Sequence, residues 1–236
     1  MASKQWSVGM TLSIITYLTH ASPLDTQDFF KTLNTSPEYQ LKITDSNIQI
    51  HTCEDIYKLY QKNQHLQIAN SLTTNDYIIN RNNIAKCLIS KDIQTNSLNT
   101  KASIIRPALI KNLPNFLPAE VFIPLSNSDF ARKDVAVKQR KRLTPLVKLK
   151  YKEIAYNKKV SGVEFTYEES LPNQKTQALH YFHFIGTAKL QKSQKKIYIL
   201  NYSMACTQGT CRSSDYYLLT ENNNGNFEVV QNYRIR

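Results

Sequence analysis

The sequence predicts an α+β fold in which a helical N-terminal half packs with a C-terminal antiparallel β-meander of five or six strands. Two patterns predict this fold. Apolar residues between positions 53 and 88 recur at helical spacing. From about Leu146 onward, segments rich in Tyr and β-branched residues are separated by short turn-forming stretches, with no helical pattern between them. We therefore expect a chain of three parts, covering residues 1–21, 22–127 and 128–236.

The first part, residues 1–21, has the pattern of a secretory signal peptide. One charged residue, Lys4, precedes an apolar and hydroxyl-rich stretch from Trp6 to Thr19, and Ala21 is a small residue at the expected cleavage site. The stretch is shorter than the roughly 20 residues of a membrane-spanning helix. We expect export from the bacterial cytoplasm, cleavage after Ala21, and a periplasmic or secreted chain without a transmembrane segment. The alternatives are an amphipathic helix of a cytosolic domain and an uncleaved anchor.

The second part, residues 22–127, is predicted to be mixed. A short helix over residues 24–33 is followed by a β-hairpin over residues 39–50, where apolar residues alternate on both sides of a turn. Two helices joined by a polar connection are expected between residues 53 and 88. Residues 93–127 contain four prolines, which exclude long helices and central strands, so we expect a connector along the surface with one short helix over residues 118–122.

The third part, residues 128–236, is predicted to be the antiparallel sheet. Its turns are indicated by clusters of Asn, Lys, Pro, Ser and Gly between apolar segments. The connections are short, which favours strands that pair with their neighbours in sequence. The six predicted strands cover residues 146–156, 162–169, 178–190, 196–206, 216–221 and 226–235.

Four cysteines fall in two groups, Cys53 with Cys87 and Cys206 with Cys211. An even number in an exported chain indicates disulfides. Three connectivities are possible, and the grouping favours a bond within each group. A zinc site is the alternative, but the spacing of the cysteines does not match the usual arrangement of zinc ligands.

The net charge of +12 at pH 7 comes largely from one segment, between Arg132 and Lys159. The segment contains eleven Lys and Arg residues but only two acidic residues, Asp134 and Glu153. Such a surplus of positive charge favours anionic partners. Alternate residues of a strand share one face, which would align three of its lysines. The alternative is an ordinary solvated surface. The predicted binding residues are Arg140, Lys141, Arg142, Lys148, Lys150 and Lys152.

No catalytic, metal-binding or cofactor-binding residues are predicted. The chain lacks Gly-x-Ser-x-Gly and phosphate-loop motifs. His180 and His183 have a spacing that would share a metal on a helix, but on a strand they point to opposite faces. The basic stretch over residues 138–142 resembles a nucleic-acid-binding run, although an exported chain rarely meets nucleic acid.

The expected function is therefore that of an exported, non-enzymatic binding or interaction protein. Its basic face would contact an anionic component of the cell envelope or a partner protein. The alternative is a small envelope hydrolase whose carboxylates and histidines are assembled by folding. The residues considered for that alternative are Glu164, Glu168, His180 and His183.

Overall fold

The protein is described by a computed structural model. The described residues are 41–43, 53–62, 66–68, 74–101, 111–124, 126–156, 163–170, 177–191, 193–207 and 211–233. The predicted signal peptide, the cleavage site at Ala21 and the predicted helix over residues 24–33 lie outside these ranges. None of the described helices is both long enough and apolar enough to cross a membrane.

Two helices and three short strands precede the six consecutive strands of the main sheet. The predicted pair of helices between residues 53 and 88 is confirmed, and the second helix extends beyond the predicted region at both ends. The first strand pairs antiparallel with the second, with Leu41 opposite Ile68, while the predicted hairpin partner around residues 48–50 lies outside the described residues. The elements are β1 (Leu41–Ile43), α1 (Cys53–Gln61), β2 (Leu66–Ile68), α2 (Thr74–Asn96) and β3 (Ser97–Lys101).

Three short or exposed helical elements lie between β3 and the first strand of the meander. These are α3 (Leu113–Phe116), a 3₁₀ helix (Ala119–Val121) and α4 (Asn127–Lys138). The 3₁₀ helix lies within the predicted short helix. Helix α4 was not predicted; it begins after Ser126, whose hydroxyl caps the helix by accepting a hydrogen bond of 3.2 Å from the Asp129 amide.

The main sheet is an antiparallel meander, which confirms the predicted order of six strands. Each strand pairs with the next one in sequence, from β4 at one end to β9 at the other. A seventh strand, β3, pairs with the far end of β6. The six meander strands are β4 (Lys150–Tyr156), β5 (Val163–Ser170), β6 (Gln177–Leu190), β7 (Lys196–Cys206), β8 (Arg212–Glu221) and β9 (Phe227–Asn232).

One face of this sheet, here called the front face, packs against the connector. Along β7, alternate side chains from Tyr198 to Met204 point to the front, as the pleat of a strand requires. Phe182 and Tyr202 stack there with ring centroids 4.3 Å apart. Helix α3, the 3₁₀ helix and the segment from Leu143 to Val147 supply the opposing apolar residues. Front-face residues therefore form an aromatic core beneath the connector.

The opposite face, here called the back face, packs against α1 and α2. Ile197, Ile199 and Leu218 of the sheet contact a helical layer that includes Ile56 and Leu88. A bulge in β6 at Ile185, between the pairs Phe184–Leu200 and Gly186–Ile199, reverses which residues of that strand point to the back. Described residues thus cover the front face of the sheet and the part of the back face that contains Ile185, Ile199 and Leu218. Much of the region over 22–127 is not described, so the prediction of a helical N-terminal half stands only for α1 and α2.

Candidate anion-binding surface

Helix α4 carries the first part of the basic segment and is largely exposed. Ala136 is its only buried residue, while Phe130 and Val135 are 43% and 53% exposed. A helix of this length is marginal in isolation, so contacts outside its own backbone must hold it in place. Its basic side chains supply some of those contacts.

Three of the basic residues bind main-chain carbonyls instead of facing solvent freely. The Lys133 ammonium donates to the Phe122 carbonyl at 2.6 Å. The guanidinium of Arg132 donates to the Leu146 carbonyl at 3.3 Å and also pairs with Asp129. Because charged donors make the stronger hydrogen bonds, these contacts attach α4 to the chain segments that precede and follow it.

The third such residue is Arg142, one of the six predicted binding residues. Its Nη1 atom donates to the carbonyl of Phe227, the first residue of β9, at 2.9 Å. Its backbone forms a bridge with Pro118. Arg142 therefore joins the connector to the last strand of the sheet and has a structural role in addition to any contact with a ligand.

The turn between α4 and Arg142 carries basic side chains that are exposed to solvent. Arg140 has a positive φ of 52°, and its amide donates to the Val137 carbonyl at 2.9 Å. The Lys141 amide donates to the Ala136 carbonyl, also at 2.9 Å, so the backbone of the turn is fixed. The side chains of Lys138, Arg140 and Lys141 are exposed and form no ion pair with any other described residue.

The three lysines near β4 were predicted to form one row on a strand. The strand begins at Lys150, so Lys148 lies before it, and a bulge between Tyr151 and Glu153 places Lys152 at the irregularity. Lys150 lies opposite Glu168, and Lys152 Nζ lies 3.5 Å from Glu168 Oε2. The regular alternation that the sequence indicates is therefore interrupted.

The six predicted binding residues fall into two groups in the fold. In the first group, Arg142 bonds to β9 and Arg140 and Lys141 directly precede it. In the second, Lys150 and Lys152 lie on β4 and Lys148 lies just before that strand. Strands β9 and β4 are the last and first strands of the meander. The segment from Leu143 to Val147 crosses the front face between the groups. The turn over residues 138–141 is thus one local cationic surface, and we call it the basic turn.

The cysteines are paired as the sequence grouping predicts. Cys53 bonds to Cys87 and Cys206 bonds to Cys211, with Cα atoms 5.6 Å and 5.4 Å apart. The first bond joins the start of α1 to α2 beneath the back face, where Cys87 is fully buried. The second closes the connection between β7 and β8, and both pairs fit an oxidising compartment.

His180 and His183 lie on opposite faces of β6, as the alternation of side chains along a strand requires. His180 is fully buried on the front face, where its Nε2 atom lies 3.0 Å from Glu169 Oε2 and its Nδ1 atom 2.7 Å from the Tyr202 hydroxyl. Burial, and then the charges of Glu169 and Asp215, raise the pKa of Tyr202 well above its ordinary value, so its hydroxyl stays protonated. This network could not be predicted from the sequence, because its three residues come from three strands.

Asp215 is another buried polar residue and lies opposite Tyr202 on the neighbouring strand, β8. This nearly fully buried carboxylate pairs with Arg81 of α2 and accepts a hydrogen bond of 3.4 Å from the Tyr217 hydroxyl. A buried carboxylate needs such partners, since an unpaired charge there is strongly unfavourable. The pair therefore ties α2 to β8.

Glu164 and His183 are directly opposite each other on β5 and β6. Their side chains share the back face. Burial, and then the charge of Glu153, raise the pKa of Glu164 above its ordinary value. Glu168 is instead paired with Lys152. Folding thus brings together two of the four residues considered for a hydrolase.

Two clefts in the described part of the chain lie elsewhere. One, of about 720 Å³, opens between the β6–β7 and β8–β9 turns and is lined by Lys195, Lys196, Glu221 and Glu228, among others. A second, of about 300 Å³, lies between the end of α2 and β9. Neither is lined by Glu164, Glu168, His180 or His183.

Comparison of the chain with family models, with curated proteins and with solved structures finds no match.

Proposed function

We propose that this chain is an exported, non-enzymatic binding protein that uses the basic turn to contact an anionic component of the cell envelope. The observation that carries the proposal is the exposure of Lys138, Arg140 and Lys141 on a fixed backbone, without ion pairs to other described residues. Because the backbone of the turn is already fixed, only side-chain freedom is lost when an anion binds.

The anchored residues around the turn strengthen this proposal. Lys133 and Arg142 attach the two sides of the turn to the Phe122 and Phe227 carbonyls. Their positive charge stays close to the turn and adds to the local potential. Lys148 and Lys150 are exposed as well and provide a second, weaker group near β4.

An acidic partner protein is the other class of ligand, and the two classes can be separated by the probe. We propose the envelope surface because two apolar side chains of α4 are exposed, Phe130 near its start and Val135 three residues before Lys138. Exposed apolar side chains beside basic ones suit the boundary of an anionic lipid layer, where both kinds of contact contribute.

The test compares two variants with the same change in net charge. The first carries K138E, R140E and K141E; the control carries K62E, K111E and K195E, three exposed lysines outside the basic turn. Both are mixed with phosphatidylcholine vesicles that contain or lack phosphatidylglycerol, and separately with soluble poly-glutamate. Sedimentation of the vesicles measures the bound fraction.

The proposal expects the wild type and the control to bind only the vesicles with phosphatidylglycerol, and the turn variant to lose that binding. Binding should weaken as salt rises, because screening acts over about 10 Å at 0.1 M ionic strength. Equal loss in both variants would show that net charge alone matters. Binding of poly-glutamate but not of vesicles would favour an acidic partner protein.

A hydrolase is the second candidate, and the cross-strand pair of Glu164 and His183 favours it. A carboxyl group with a raised pKa beside an imidazole has the components of a general acid and base. Its test is hydrolysis of nitrophenyl ester and glycoside probes. Activity that disappears in both E164Q and H183Q, but not in E168Q, would support this candidate, and an inactive wild type would reject it.

A further inference from the structure

The 300 Å³ cleft at the end of α2 combines an apolar wall with one carboxylate. Ile93, Ile197, Leu218 and Val230 form most of the apolar wall, and Asp92 lies at its polar end. The volume is at the lower end of the range of small-molecule sites. The cleft is on the back face, away from the basic turn.

Asp92 is held in place by two phenols from different parts of the chain. The Tyr57 hydroxyl donates to Asp92 Oδ1 at 2.9 Å, and the Tyr233 hydroxyl donates to Oδ2. Both donors are uncharged. Among the described residues no Lys, Arg or His lies within ion-pair distance of Asp92, so its charge is compensated only by hydrogen bonds.

The aromatic residues beside Asp92 are affected by its negative charge. Burial, and then the Asp92 carboxylate, raise the pKa of Tyr60 above its ordinary value, and the same two causes raise that of Tyr233. The rings of Tyr60 and Tyr233 lie 6.3 Å apart. A negative charge next to aromatic rings is an environment that favours cations.

We propose that this cleft binds a small organic cation with an apolar body, such as a primary amine on an aromatic or aliphatic group. The ammonium group contacts Asp92, and the apolar body lies against Ile197 and Leu218. A partly buried carboxylate attracts an ammonium ion more strongly than a fully solvated carboxylate does, because the effective dielectric around it is lower. The carboxylate therefore selects the charge of the ligand, and the apolar wall selects its body.

The test uses three probes of nearly equal shape and different charge: 2-phenylethylammonium, 2-phenylethanol and 3-phenylpropionate. Ligand-observed NMR with the full-length, oxidised chain measures each dissociation constant. The ammonium probe should bind about five- to tenfold more tightly than the alcohol, and the carboxylate most weakly. In D92N this preference should disappear, whereas D134N, which changes an exposed carboxylate on α4, should keep it.

A second pair of variants keeps the test decisive if D92N fails to fold. Val230 is 46% exposed at the mouth of the cleft, so charged substitutions there should be tolerated. V230K should weaken binding of the ammonium probe several-fold, and V230E should strengthen it. Equal binding of all three probes, no binding of any, or the same affinity in V230K and V230E would overturn the proposal.

Discussion

The guanidinium of Arg142 donates a hydrogen bond to the main-chain carbonyl of Phe227, joining the end of the basic segment to the first residue of β9. Phe227 is buried in the front core. A residue that appears in the sequence as part of a cationic run is thus also a structural link, whereas its neighbour Lys141 is exposed.

This difference predicts opposite outcomes for adjacent substitutions. Arg142→Met keeps an unbranched, flexible side chain but removes the donor to Phe227, so the free energy of unfolding should fall by roughly 1–3 kcal/mol. Lys141→Met should change it by less than about 0.5 kcal/mol. Urea denaturation followed by circular dichroism measures both. Equal effects at the two positions would show that the Phe227 contact contributes nothing.

The two disulfides should contribute unequally to stability. The Cys53–Cys87 bond joins residues 34 apart and the Cys206–Cys211 bond residues 5 apart. In the chain-entropy model the longer loop contributes about 4 kcal/mol and the shorter about 2 kcal/mol. Replacing each pair by alanine and measuring chemical denaturation should give the larger loss for the first pair. A larger loss for the second pair would contradict this order.

Glu164→Gln should stabilise the protein at neutral pH. Because burial and Glu153 raise its folded-state pKa, the folded chain holds this proton more tightly than the unfolded chain, and ionisation at neutral pH disfavours folding. The gain in unfolding free energy of the Gln variant should shrink as the pH falls through the raised pKa of Glu164 in the folded state. It should vanish below the pKa that Glu164 has in the unfolded chain. Unfolding free energies at about pH 7 and about pH 3 measure it. Asp134→Asn is the exposed control, and a gain that persists at the lower pH would exclude this explanation.

Tyr202→Phe should destabilise the front core. Removing the hydroxyl leaves the Nδ1 atom of the fully buried His180 without its partner, which costs about 1–3 kcal/mol. Tyr181→Phe, at a half-buried position on the back face, is the matched control and should have little effect. Thermal unfolding of both variants measures the difference. Similar melting temperatures for Tyr202→Phe and Tyr181→Phe would show that the His180 contact is weak.

The meander was predictable because its strands have strong local patterns and pair with neighbours in sequence. The bounds of β7, Lys196–Cys206, agree with the prediction. The start of β8 was placed too late, at residue 216, because the polar residues from Arg212 to Asp215 do not indicate a strand. They are extended because they pair with β7. Here the tertiary partner, and not local propensity, determines the conformation.

Helix α4 and strand β3 were missed for different reasons. Helix α4 buries only Ala136, so it lacks the apolar periodicity by which helices are recognised. Strand β3 has a polar sequence and pairs with a strand far along the chain. The cleft at Asp92 was missed for a similar reason, since Tyr57 and Tyr233 reach it from opposite ends of the described chain.

The pairing of β3 with β6 has a consequence for the order in which the chain can fold during synthesis. Ser97 leaves the ribosome well before Leu190, the residue it pairs with. Until β6 emerges, the backbone donors and acceptors of β3 have no partner in this sheet, and an unpaired strand edge can associate with other chains. The strand is therefore the part of the main sheet that waits longest for its partner, and it is where nascent chains would be expected to need protection from aggregation.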